Sequence, residues 1–580
     1  MQAPAELTAW AGQRAWTVLD TRFDAGQRFM AVWQTWRNDP QRPTLLHYVG
    51  HITETDYAHA FSTTAPAHAP SADEAMHYAV LHAAAAQRAP GIHRLLLSEG
   101  QVSLTLCIGE SSSFLSDHRL YANTVWFEAQ DRLWDKWSAR ALARVCARGA
   151  SLVAQLPPGP HAQWLGEAGF VNVQVNARGT RLRATFDPAW SLGAKEPPVP
   201  LDPGRTPHCC VVGAGLSGAS VAYALARRGW RVTVLERAAR AAAGASGLPV
   251  GLVVPHISAD DSPRSRLSRV GARLMLQHAA SLLTEGEQWG LSGVHEHRMG
   301  DGPDRMHTQA GWVKPRALIE AWLAHERITV RHHAEVHQIT RDGDTWALTD
   351  AAGVTLAAAD TVVFAQAYGV RALLNAETLA PHRATTLPLT LGDLQAVHGT
   401  ATLGNAPEGA AGPAWAMPHN GHGCFIPMPD SGAGMGWLAG SSFEPDAEPT
   451  AASLQAHHLA PVGAQHAGNL QRLEQLLPEA AHALAPQFQA GTVQSWSGTR
   501  CVTHDRLPLA GPVDAEGRNG LWMHAGMGAR GLTFSALGAE LIAARLCHEP
   551  WPVETSLARS MDAQRLRKRR TLREAESDSN

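Results

Sequence analysis

The chain has 580 residues, of which 45% are hydrophobic and 17% are charged. This length exceeds what one ordinary domain contains, and the hydrophobic share excludes a chain that is disordered throughout. The 49 Lys and Arg residues nearly balance the 52 Asp and Glu residues, so the formal net charge is −3. That balance excludes a uniformly basic nucleic-acid-binding protein but leaves room for a local basic patch.

The cysteines and the N-terminal sequence indicate the cellular compartment in which the protein is expected. The 7 cysteines show no C-x-x-C spacing, and an odd, irregularly spaced set is typical of reducing compartments. The first residues lack the pattern of a signal peptide. An uncharged run over 209–226 has the length of a membrane span, but three glycines interrupt it at the spacing of a nucleotide-binding turn. We therefore predict a cytoplasmic protein without a membrane segment.

Short β-like runs alternate with helical runs in the N-terminal part of the chain. The strand-like runs lie at 16–20, 45–49, 102–108, 125–127 and 150–155, and a helical run lies at 139–146. Strands that alternate with helices predict a parallel α/β sheet. Proline-rich sequence over 191–207 predicts a linker, and glycine-rich sequence over 404–423 predicts a long loop.

A glycine motif follows the linker. A buried strand at 208–213 runs into a G-x-G-x-x-G turn, which a helix at 219–228 and a second strand at 231–236 follow. This context predicts a dinucleotide site, because the glycines permit a tight turn and let a pyrophosphate approach the helix N-terminus. The predicted cofactor contacts in this turn are Gly213, Ala214, Gly215, Ser217 and Gly218.

An acidic residue, Glu236, ends the second strand and can accept hydrogen bonds from both ribose hydroxyls, which favours FAD or NAD over NADP. A small-residue loop at 244–247 and a second glycine-rich turn before a helix at 534–546 favour FAD. Taken alone, the second turn is equally well explained as an ordinary connection. The further predicted cofactor contacts are Arg237, Ala245, Ser246, Gly247, Gly528, Arg530, Gly531 and Leu532.

The chain resembles a known family along nearly its whole length. The resemblance is carried by blocks that include VVGAGLSGASVAYALARRGWRVTVLER, QAGWVKPRALIEAWL and HAGMGARGLTFSALGAELIAARL. These blocks are similar to those of the bifunctional tRNA 5-methylaminomethyl-2-thiouridine biosynthesis proteins. The resemblance implies a C-terminal FAD domain of the glycine oxidase/D-amino-acid oxidase superfamily, which removes the carboxymethyl group from 5-carboxymethylaminomethyl-uridine in tRNA. It also implies an N-terminal domain that methylates the resulting amine with S-adenosylmethionine.

The resemblance implies an α/β fold class: a Rossmann-like methyltransferase-type domain, then a FAD-binding Rossmann domain with an inserted antiparallel-sheet substrate domain. We expect a methyltransferase-like domain over 1–190, the linker over 191–207, the oxidoreductase domain over 208–560 and a charged tail over 561–580. The tail run Arg565–Arg570 could contact tRNA phosphates or remain a solvated terminus. The oligomeric state stays open.

The N-terminal part departs from the family pattern at the positions that carry methyltransferase chemistry. Arg22 and Asp24 stand where the family's cofactor loop has glycines, and no carboxylate stands near 49–51, where the family has its ribose ligand. Ala129 replaces the family's catalytic Asp, whereas Glu110 keeps an acidic adenine contact. These changes predict a methyltransferase fold without methyltransferase activity and make S-adenosylmethionine binding doubtful. The alternative is that a rebuilt loop keeps both activities.

The implied substrate carries a carboxylate, for which an arginine is the natural partner. Arg500 is the first candidate and Arg530 the second, although Arg530 could instead contact flavin or tRNA, and either could form a structural ion pair. We expect O2 to reoxidise the flavin. A small-molecule amine oxidase of the glycine or sarcosine type is the alternative activity, and a tRNA-docking module is an alternative role for the N-terminal domain.

No metal site is predicted. His295 and His297 are close in sequence, but no matching ligand set stands at metal spacing elsewhere, so surface histidines are the favoured interpretation.

Overall fold

The computed structural model describes residues 5–62, 81, 90–128, 135–156, 159–192, 205–298, 302–374, 394–429, 435–457, 459–513 and 520–565. The chain divides into two compact units, Met1–Pro200 with Ala543–Ala558, and Leu201–Ile542 with Arg559–Asn580. Among the described residues, no helix is both long and apolar enough to cross a membrane. The uncharged run at 209–226 forms a strand and a helix instead.

The first unit is built on an eight-stranded sheet in the order β3-β4-β2-β1-β5-β6-β8-β7. The strands are β1 (Ala15–Asp20), β2 (Leu45–Ile52), β3 (Gly91–Leu97), β4 (Val102–Ile108), β5 (Ala122–Glu128), β6 (Cys146–Gln155), β7 (Phe170–Val175) and β8 (Arg181–Phe186). The run from β4 to β6 is parallel, and the other pairs are antiparallel. The strand order reverses between β1 and β5, which is where doubly wound folds bind ligands.

Helices of the first unit connect these strands. They are α1 (Gln27–Asn38), α2 (Glu54–Ser62), α3 (Ser111–Asp117), α4 (Lys136–Arg144) and α5 (His161–Glu167), with 3₁₀ turns at Ala5–Trp10 and Ser98–Gly100. Two apolar clusters fill the core, and the largest buried side chains include Trp10, Trp36 and Tyr48. The alternation of strand and helix and the mixed α/β class are therefore confirmed.

The second unit contains the remaining strands. They are β9 (His208–Val212), β10 (Arg231–Leu235), β11 (Gly251–Val253), β12 (Trp289–Gly290), β13 (Val294–Glu296), β14 (Arg305–His307), β15 (Gly311–Val313), β16 (Ile328–Arg331), β17 (Gln338–Asp342), β18 (Thr345–Thr349), β19 (Thr355–Ala359), β20 (Thr361–Phe364), β21 (Leu394–Asn405), β22 (His419–Gly421), β23 (Gly423–Pro429), β24 (Met435–Gly440), β25 (Glu444–Asp446), β26 (Gln494–Thr503), β27 (Leu509–Pro512) and β28 (Leu521–Ala525). The sheet β16-β10-β9-β20-β28-β27 is parallel except at β27.

A second large sheet, β14-β13-β22-β23-β24-β21-β25 with β26 beside β21, is antiparallel except between β13 and β22. Two three-stranded sheets, β11-β15-β12 and β17-β18-β19, complete the unit. This is the expected Rossmann-type sheet with an inserted, mainly antiparallel sheet.

Helices of the second unit and of the C-terminal segment follow. They are α6 (Leu216–Arg227), α7 (Pro263–Leu282), α8 (Pro315–Leu323), α9 (Val370–Leu373), α10 (Pro413–Ala416), α11 (Ala451–Ala456), α12 (Val462–Leu476), α13 (Pro478–Gln489), α14 (Gly531–Cys547) and α15 (Thr555–Ser560), with 3₁₀ turns at Ala245–Gly247 and Ala367–Gly369. A buried ion pair joins α14 to the end of α6, since both nitrogens of the Arg228 fork lie 3.0–3.2 Å from the carboxylate oxygens of Glu540.

The prediction of one long loop over 404–423 is wrong. The segment begins inside β21 and contains α10 and β22. The sequence did not predict the strand β22, because its glycines are typical of loops and because β22 pairs with β13, a partner more than 100 residues away along the chain. A pairing of that kind leaves no local periodicity in the sequence.

Candidate functional site

The first glycine turn is tight enough to require its glycines. Gly213 has a φ of 103°, and a Cβ built there would lie 3.0 Å from the carbonyl oxygen of Ala365. A Cβ on Gly218 would lie 1.8 Å from the carbonyl oxygen of Gly213. The first and third glycines therefore bring the start of α6 directly against the end of β9, as this motif does in dinucleotide-binding folds.

The small-residue loop lies at the start of α6. The Leu216 N–H donates a hydrogen bond to the Ser246 hydroxyl at 3.0 Å, and a Cβ on Gly215 would lie 3.0 Å from that same oxygen. Ser246 thus satisfies one of the free N–H groups of the helix, as a capping residue does. The remaining N–H groups of the first turn keep their partial positive charge for an anionic ligand.

Glu236 is buried at the end of β10 and holds the turn in place. One of its carboxylate oxygens accepts a hydrogen bond from the Ala214 N–H at 2.8 Å, and the other accepts one from the Ala238 N–H at 2.9 Å. Each oxygen retains a second lone pair. The same side chain can therefore order the loop and accept a hydrogen bond from a ribose hydroxyl.

A cavity of about 710 Å³ opens at this turn, within the roughly 300–1,000 Å³ typical of ligand pockets. The predicted contacts that line it are Gly213, Gly215, Ser217, Glu236, Arg237, Ala245 and Ser246. The predicted contacts that do not line it are Ala214, Gly218, Gly247, Gly528, Arg530, Gly531 and Leu532. Ala214 and Gly218 act on the cavity through the backbone of the turn instead.

Other walls of the cavity come from parts of the chain to which the sequence assigned no cofactor contact. They include Val336, Gln366, Tyr368, Leu373 and Thr499. The side-chain oxygen of Gln366 is buried without a hydrogen-bond partner among the described residues. An unpaired buried acceptor on the wall fits a ligand that brings its own N–H or O–H donors, and FAD does so. The glycine spacing alone could not reveal these residues, because Val336 lies between β16 and β17, Gln366, Tyr368 and Leu373 follow β20, and Thr499 belongs to β26.

The second glycine turn lies beside the first. Gly528 has a φ of 57° and donates its N–H to the carbonyl oxygen of Cys501 at 2.8 Å, which ties the turn to β26. A Cβ on Gly531, the first residue of α14, would lie 3.2 Å from the Leu216 side chain. The N-termini of α14 and α6 therefore lie close together, so this turn is more than a remote connection between two elements.

Arg500 is half-buried on β26 and has no carboxylate partner within 4 Å in the described part of the chain. Its guanidinium donates hydrogen bonds to the Ser442 carbonyl oxygen at 3.2 Å and the Ser441 hydroxyl at 2.5 Å, and it lies over the Phe443 ring. Burial lowers the pKa of Arg500, which the charge of nearby Glu444 partly offsets. The structural ion-pair alternative for Arg500 is therefore not borne out by the described contacts.

Arg530 precedes α14 and belongs to a positively charged group. Burial and then the charge of Arg264 lower the pKa of Arg530, while Glu296 opposes the shift. Arg264 donates a hydrogen bond to His256 Nε2 at 2.8 Å, and burial together with Arg264 and Arg530 lowers the pKa of His256 to about 4. Two arginines held near each other favour an anionic partner.

Comparison with known proteins decides the family. The model of the family described as "FAD dependent oxidoreductase" matches residues 208–298 and 300–545, which is more than half of the chain. This chain belongs to the FAD-dependent oxidoreductases.

Its relatives are similar over both units. The "tRNA 5-methylaminomethyl-2-thiouridine biosynthesis bifunctional protein MnmC" of Albidiferax ferrireducens is 42% identical over 96% of this chain and 94% of its own length. The protein of the same name from Polaromonas sp. JS666 is 38% identical over 96% of this chain and 92% of its own length. The chain is therefore a member of the MnmC family. The crystal structure of glycine oxidase from Geobacillus kaustophilus is 19% identical and covers 59% of this chain and 96% of its own, with a TM-score of 0.44. The family assignment does not rest on it.

The first unit of this MnmC-family member carries an ion network at the point where its strand order reverses. Arg28 donates hydrogen bonds to Asp20, at the end of β1, and to Glu128, at the end of β5. Arg22 donates a second hydrogen bond to Glu128 at 2.9 Å, and Asp24 lies 3.7 Å from the Arg28 guanidinium. Arg22 and Asp24, which stand where the resemblance predicts glycines, thus both join the network at the predicted cofactor position.

Burial makes this network costly to rearrange. It raises the pKa of Asp20 to about 6, against the lowering effects of a hydrogen bond from Tyr48 and the charge of Arg28. For Glu128, burial also raises the pKa, but hydrogen bonds from Arg28 and Arg22 outweigh it and hold the value below the ordinary one. The position of Ala129 lies outside the described residues.

Two further predictions meet the structure here. Arg565, the first residue of the basic run Arg565–Arg570 in the predicted tail, pairs with both oxygens of the Asp505 carboxylate at 2.9 and 3.0 Å, so it is no free phosphate ligand. The rest of the tail, 566–580, lies outside the described residues. The expectation that His295 and His297 lack a third partner is wrong, because His419 on β22 lies beside them.

Proposed function

We propose that this protein is a cytoplasmic FAD-dependent oxidoreductase that acts on 5-carboxymethylaminomethyl-uridine at the wobble position of tRNA. The reaction breaks the C–N bond to the acetate carbon and leaves 5-aminomethyl-uridine and glyoxylate. The names of the relatives point to tRNA, and the family match points to oxidation with FAD. The family resemblance implies a substrate that carries a secondary amine and a carboxylate.

The observation that carries the proposal is Arg500. A half-buried guanidinium without a carboxylate partner in the described residues is expensive to keep, and a substrate carboxylate would complete its hydrogen bonding. Arg500 itself does not line the cavity, but Gly498 lies two residues before it on the same face of β26. A Cβ on Gly498 would lie 3.0 Å from the Cα of Ala245, which does line the cavity, so this face of β26 runs from the proposed cofactor site to the proposed substrate anchor. Arg500 would bind and orient the acetate group, which fixes the carbon that is oxidised.

FAD, when bound, supplies the two-electron acceptor for the C–N oxidation. The residues suited to hold it are those of the first glycine turn, with Glu236 for the ribose and Ser246 beside the helix N-terminus. Two electrons and two protons leave the amine, water hydrolyses the resulting imine, and the water oxygen becomes the aldehyde oxygen of glyoxylate. O2 is the proposed final acceptor and leaves as hydrogen peroxide.

The test compares Arg500→Lys and Arg500→Met with the wild type on tRNA that carries the carboxymethylaminomethyl group. Nucleoside mass spectrometry follows 5-aminomethyl-uridine, and an aldehyde assay follows glyoxylate. We expect the Met variant to lose roughly 10- to 100-fold in kcat/KM, since hydrogen bonds to charged groups contribute about 1.5–3 kcal/mol each. The Lys variant keeps the charge but loses the fork, so its loss lies mainly in KM.

Arg327→Lys on the surface of the same unit is the matched control and should retain wild-type kinetics. Flavin content is measured in every variant, because a variant that has lost its cofactor says nothing about carboxylate binding. Equal kcat/KM for Arg500→Met and wild type at full flavin content would overturn the role of Arg500. Faster turnover of free glycine or sarcosine than of the modified tRNA would favour the small-molecule oxidase instead.

The proposal assigns no methylation to the first unit. S-adenosylmethionine does not fit the described residues, because Arg28 donates hydrogen bonds to both Asp20 and Glu128 where its binding loop would need bare backbone. The last residues of β2, from Val49 to Ile52, offer no carboxylate for its ribose. This unit then serves as a tRNA-docking or scaffold module with a methyltransferase-like fold.

A further inference from the structure

Two strands of the second large sheet bring three histidines to one face. β13 and β22 run parallel with His295 paired to His419, and the backbone N–H groups of His295 and His297 donate to the carbonyl oxygens of Pro418 and Asn420 at 3.0 and 2.7 Å. Side chains two residues apart on a strand point to the same face, so His297 joins His295. Hydrogen bonds between the strands, rather than flexible loops, fix the three positions.

The imidazole rings are in direct contact. One ring nitrogen from each of the three histidines lies within 4.8 Å of the others, and His297 Nε2 lies 2.9 Å from His419 Nδ1. The rings of His295 and His297 stack with centroids 4.4 Å apart. His419 is buried, while His295 and His297 are half-buried, so the group is reachable from solvent on one side.

A carboxylate lies behind the two outer rings. Asp304 Oδ2 is 3.2 Å from His295 Nε2 and 3.1 Å from His297 Nδ1, and the Arg298 N–H holds the other oxygen at 3.1 Å. With those nitrogens occupied, His295 Nδ1 and His297 Nε2 are left on the side away from Asp304. Metal-binding histidines commonly donate their second N–H to a carboxylate in this way, which fixes the tautomer and the ring orientation.

We propose that His295, His297 and His419 form a divalent transition-metal site with Zn²⁺ as the preferred ion, oriented by Asp304. Three imidazole nitrogens on one face suit Zn²⁺, whose bonds to nitrogen are about 2.0–2.1 Å, and a fourth tetrahedral position would face solvent. The site is empty here, with its nitrogens within 4.8 Å of one another. Binding would draw them to the roughly 3.3–3.4 Å separation of two tetrahedral ligands that each lie about 2.0–2.1 Å from the ion.

Such an ion would join two strands that lie more than 100 residues apart in sequence. Glu296, between the two outer histidines, points to the opposite face of β13, where His307 contacts it at 2.8 Å. Glu296 is also a carboxylate whose charge acts on Arg530. The ion would therefore stiffen the strand that carries this carboxylate, and none of its ligands lines the cavity at the glycine turns.

The experiment uses the untagged, full-length, flavin-loaded protein after removal of metals with a chelator. Buffered ZnCl2 is titrated calorimetrically into the wild type, His295→Gln/His297→Gln and Asp304→Asn. The matched control is His332→Gln/His333→Gln, an adjacent pair of exposed histidines in the same unit. Flavin content and circular dichroism verify that each variant is folded.

We expect one high-affinity equivalent in the wild type and in the control. The double glutamine variant should lose at least about 100-fold in affinity, and Asp304→Asn should lose roughly 10- to 100-fold, as orienting carboxylates do. Co²⁺ in place of Zn²⁺ should give visible d–d bands in the wild type and in the control but not in the double glutamine variant. Equal binding by the wild type and the double glutamine variant, or no high-affinity equivalent in the wild type, would overturn the site and leave a hydrogen-bonded histidine cluster.

Discussion

At the level of one residue, Gly218 lies where the turn leaves no room for a side chain. Its hydrogen faces the carbonyl oxygen of Gly213, and the 1.8 Å that a Cβ would leave is far inside van der Waals contact. Because that oxygen belongs to the backbone of the turn, no side chain can move aside to relieve the clash. The close approach of α6 to β9, and with it the direction of the helix N-terminus, depends on this position.

We predict that Gly218→Ala abolishes stable FAD binding. The added methyl group pushes α6 from the turn, so the helix N–H groups no longer point at the pyrophosphate. The measurement is flavin absorbance per protein after purification and after reconstitution, and it should fall at least about tenfold. Gly463→Ala is the matched control, because nothing lies within 4 Å of the Cβ it adds near the start of α12. Full flavin content in the Gly218 variant would contradict the prediction.

Sequence reasoning reached the residues whose chemistry is local and missed those whose partners are distant. Gly213, Gly215 and Gly218 are predicted by spacing because one short segment makes the whole turn. The partners of Arg500, Ser441 and Ser442, come from a chain segment almost 60 residues earlier. Nothing near Arg500 in the sequence indicates whether it pairs with a carboxylate, so its partners became visible only in the folded chain.

At the scale of secondary-structure elements, the contact between α7 and α8 depends on the charge state of one histidine. Trp322 Nε1 donates a hydrogen bond to His278 Nδ1 at 3.1 Å, which requires that nitrogen to be unprotonated. Burial, followed by the charge of Arg227, lowers the pKa of His278 from 6.5 to about 4, with Arg228 adding to the shift and Glu540 opposing it. Protonation would therefore break the hydrogen bond and bury an unpaired charge.

We predict that His278 makes the second unit less stable as the pH falls from 6.5 to about 4. Between these values the unfolded chain binds a proton that the folded chain does not, so the free energy of unfolding rises with pH through this window and is lost on acidification. The contribution amounts to about 3 kcal/mol, at 1.36 kcal/mol for each pKa unit. His278→Gln keeps an acceptor for Trp322 but cannot be protonated.

Urea unfolding at a series of pH values provides the measurement. The wild type should lose more stability than His278→Gln between pH 6.5 and 4.5, and the exposed His332→Gln should follow the wild type. Parallel curves for wild type and His278→Gln would show that other groups carry the acid sensitivity.

Elements were predicted well where pattern and length agreed. The run at 102–108 forms a strand with those bounds, and the runs at 208–213 and 231–236 form strands that end one residue earlier, because each is a buried apolar stretch between turn signals. β22 was missed because it is three residues long and rich in glycine, and it exists through its pairing with β13. The histidine cluster was missed for the same reason, since one of its three members lies on β22.

At the scale of the whole molecule, the 49 basic residues nearly balance the 52 acidic ones. In the first unit, some of these opposite charges pair with one another: Arg22 and Arg28 bind Asp20 and Glu128 in the crevice that would hold a methyl donor. A ligand would have to displace this network before it could contact the backbone, and the fully buried Asp20 carboxylate would then lose its ion pair with Arg28, which is unfavourable.

We predict that the protein transfers no methyl group to tRNA from S-adenosylmethionine. The assay supplies methyl-labelled S-adenosylmethionine together with tRNA on which the protein's own oxidation has produced 5-aminomethyl-uridine, so a blocked first step cannot imitate a missing second one. Oxidation should proceed to the same extent with and without the methyl donor, and label in tRNA should stay at the level of a protein-free blank. Arg28→Gly with Arg22→Gly tests the cause, since it removes both guanidiniums from Asp20, Asp24 and Glu128 but still leaves no ribose ligand at the end of β2. We expect this double variant to bind no donor either, because the ribose ligand is still missing; binding by the double variant would show that the ion network alone keeps the donor out. Incorporation of label by the wild type would contradict the prediction and show that the loop has been rebuilt into a working site.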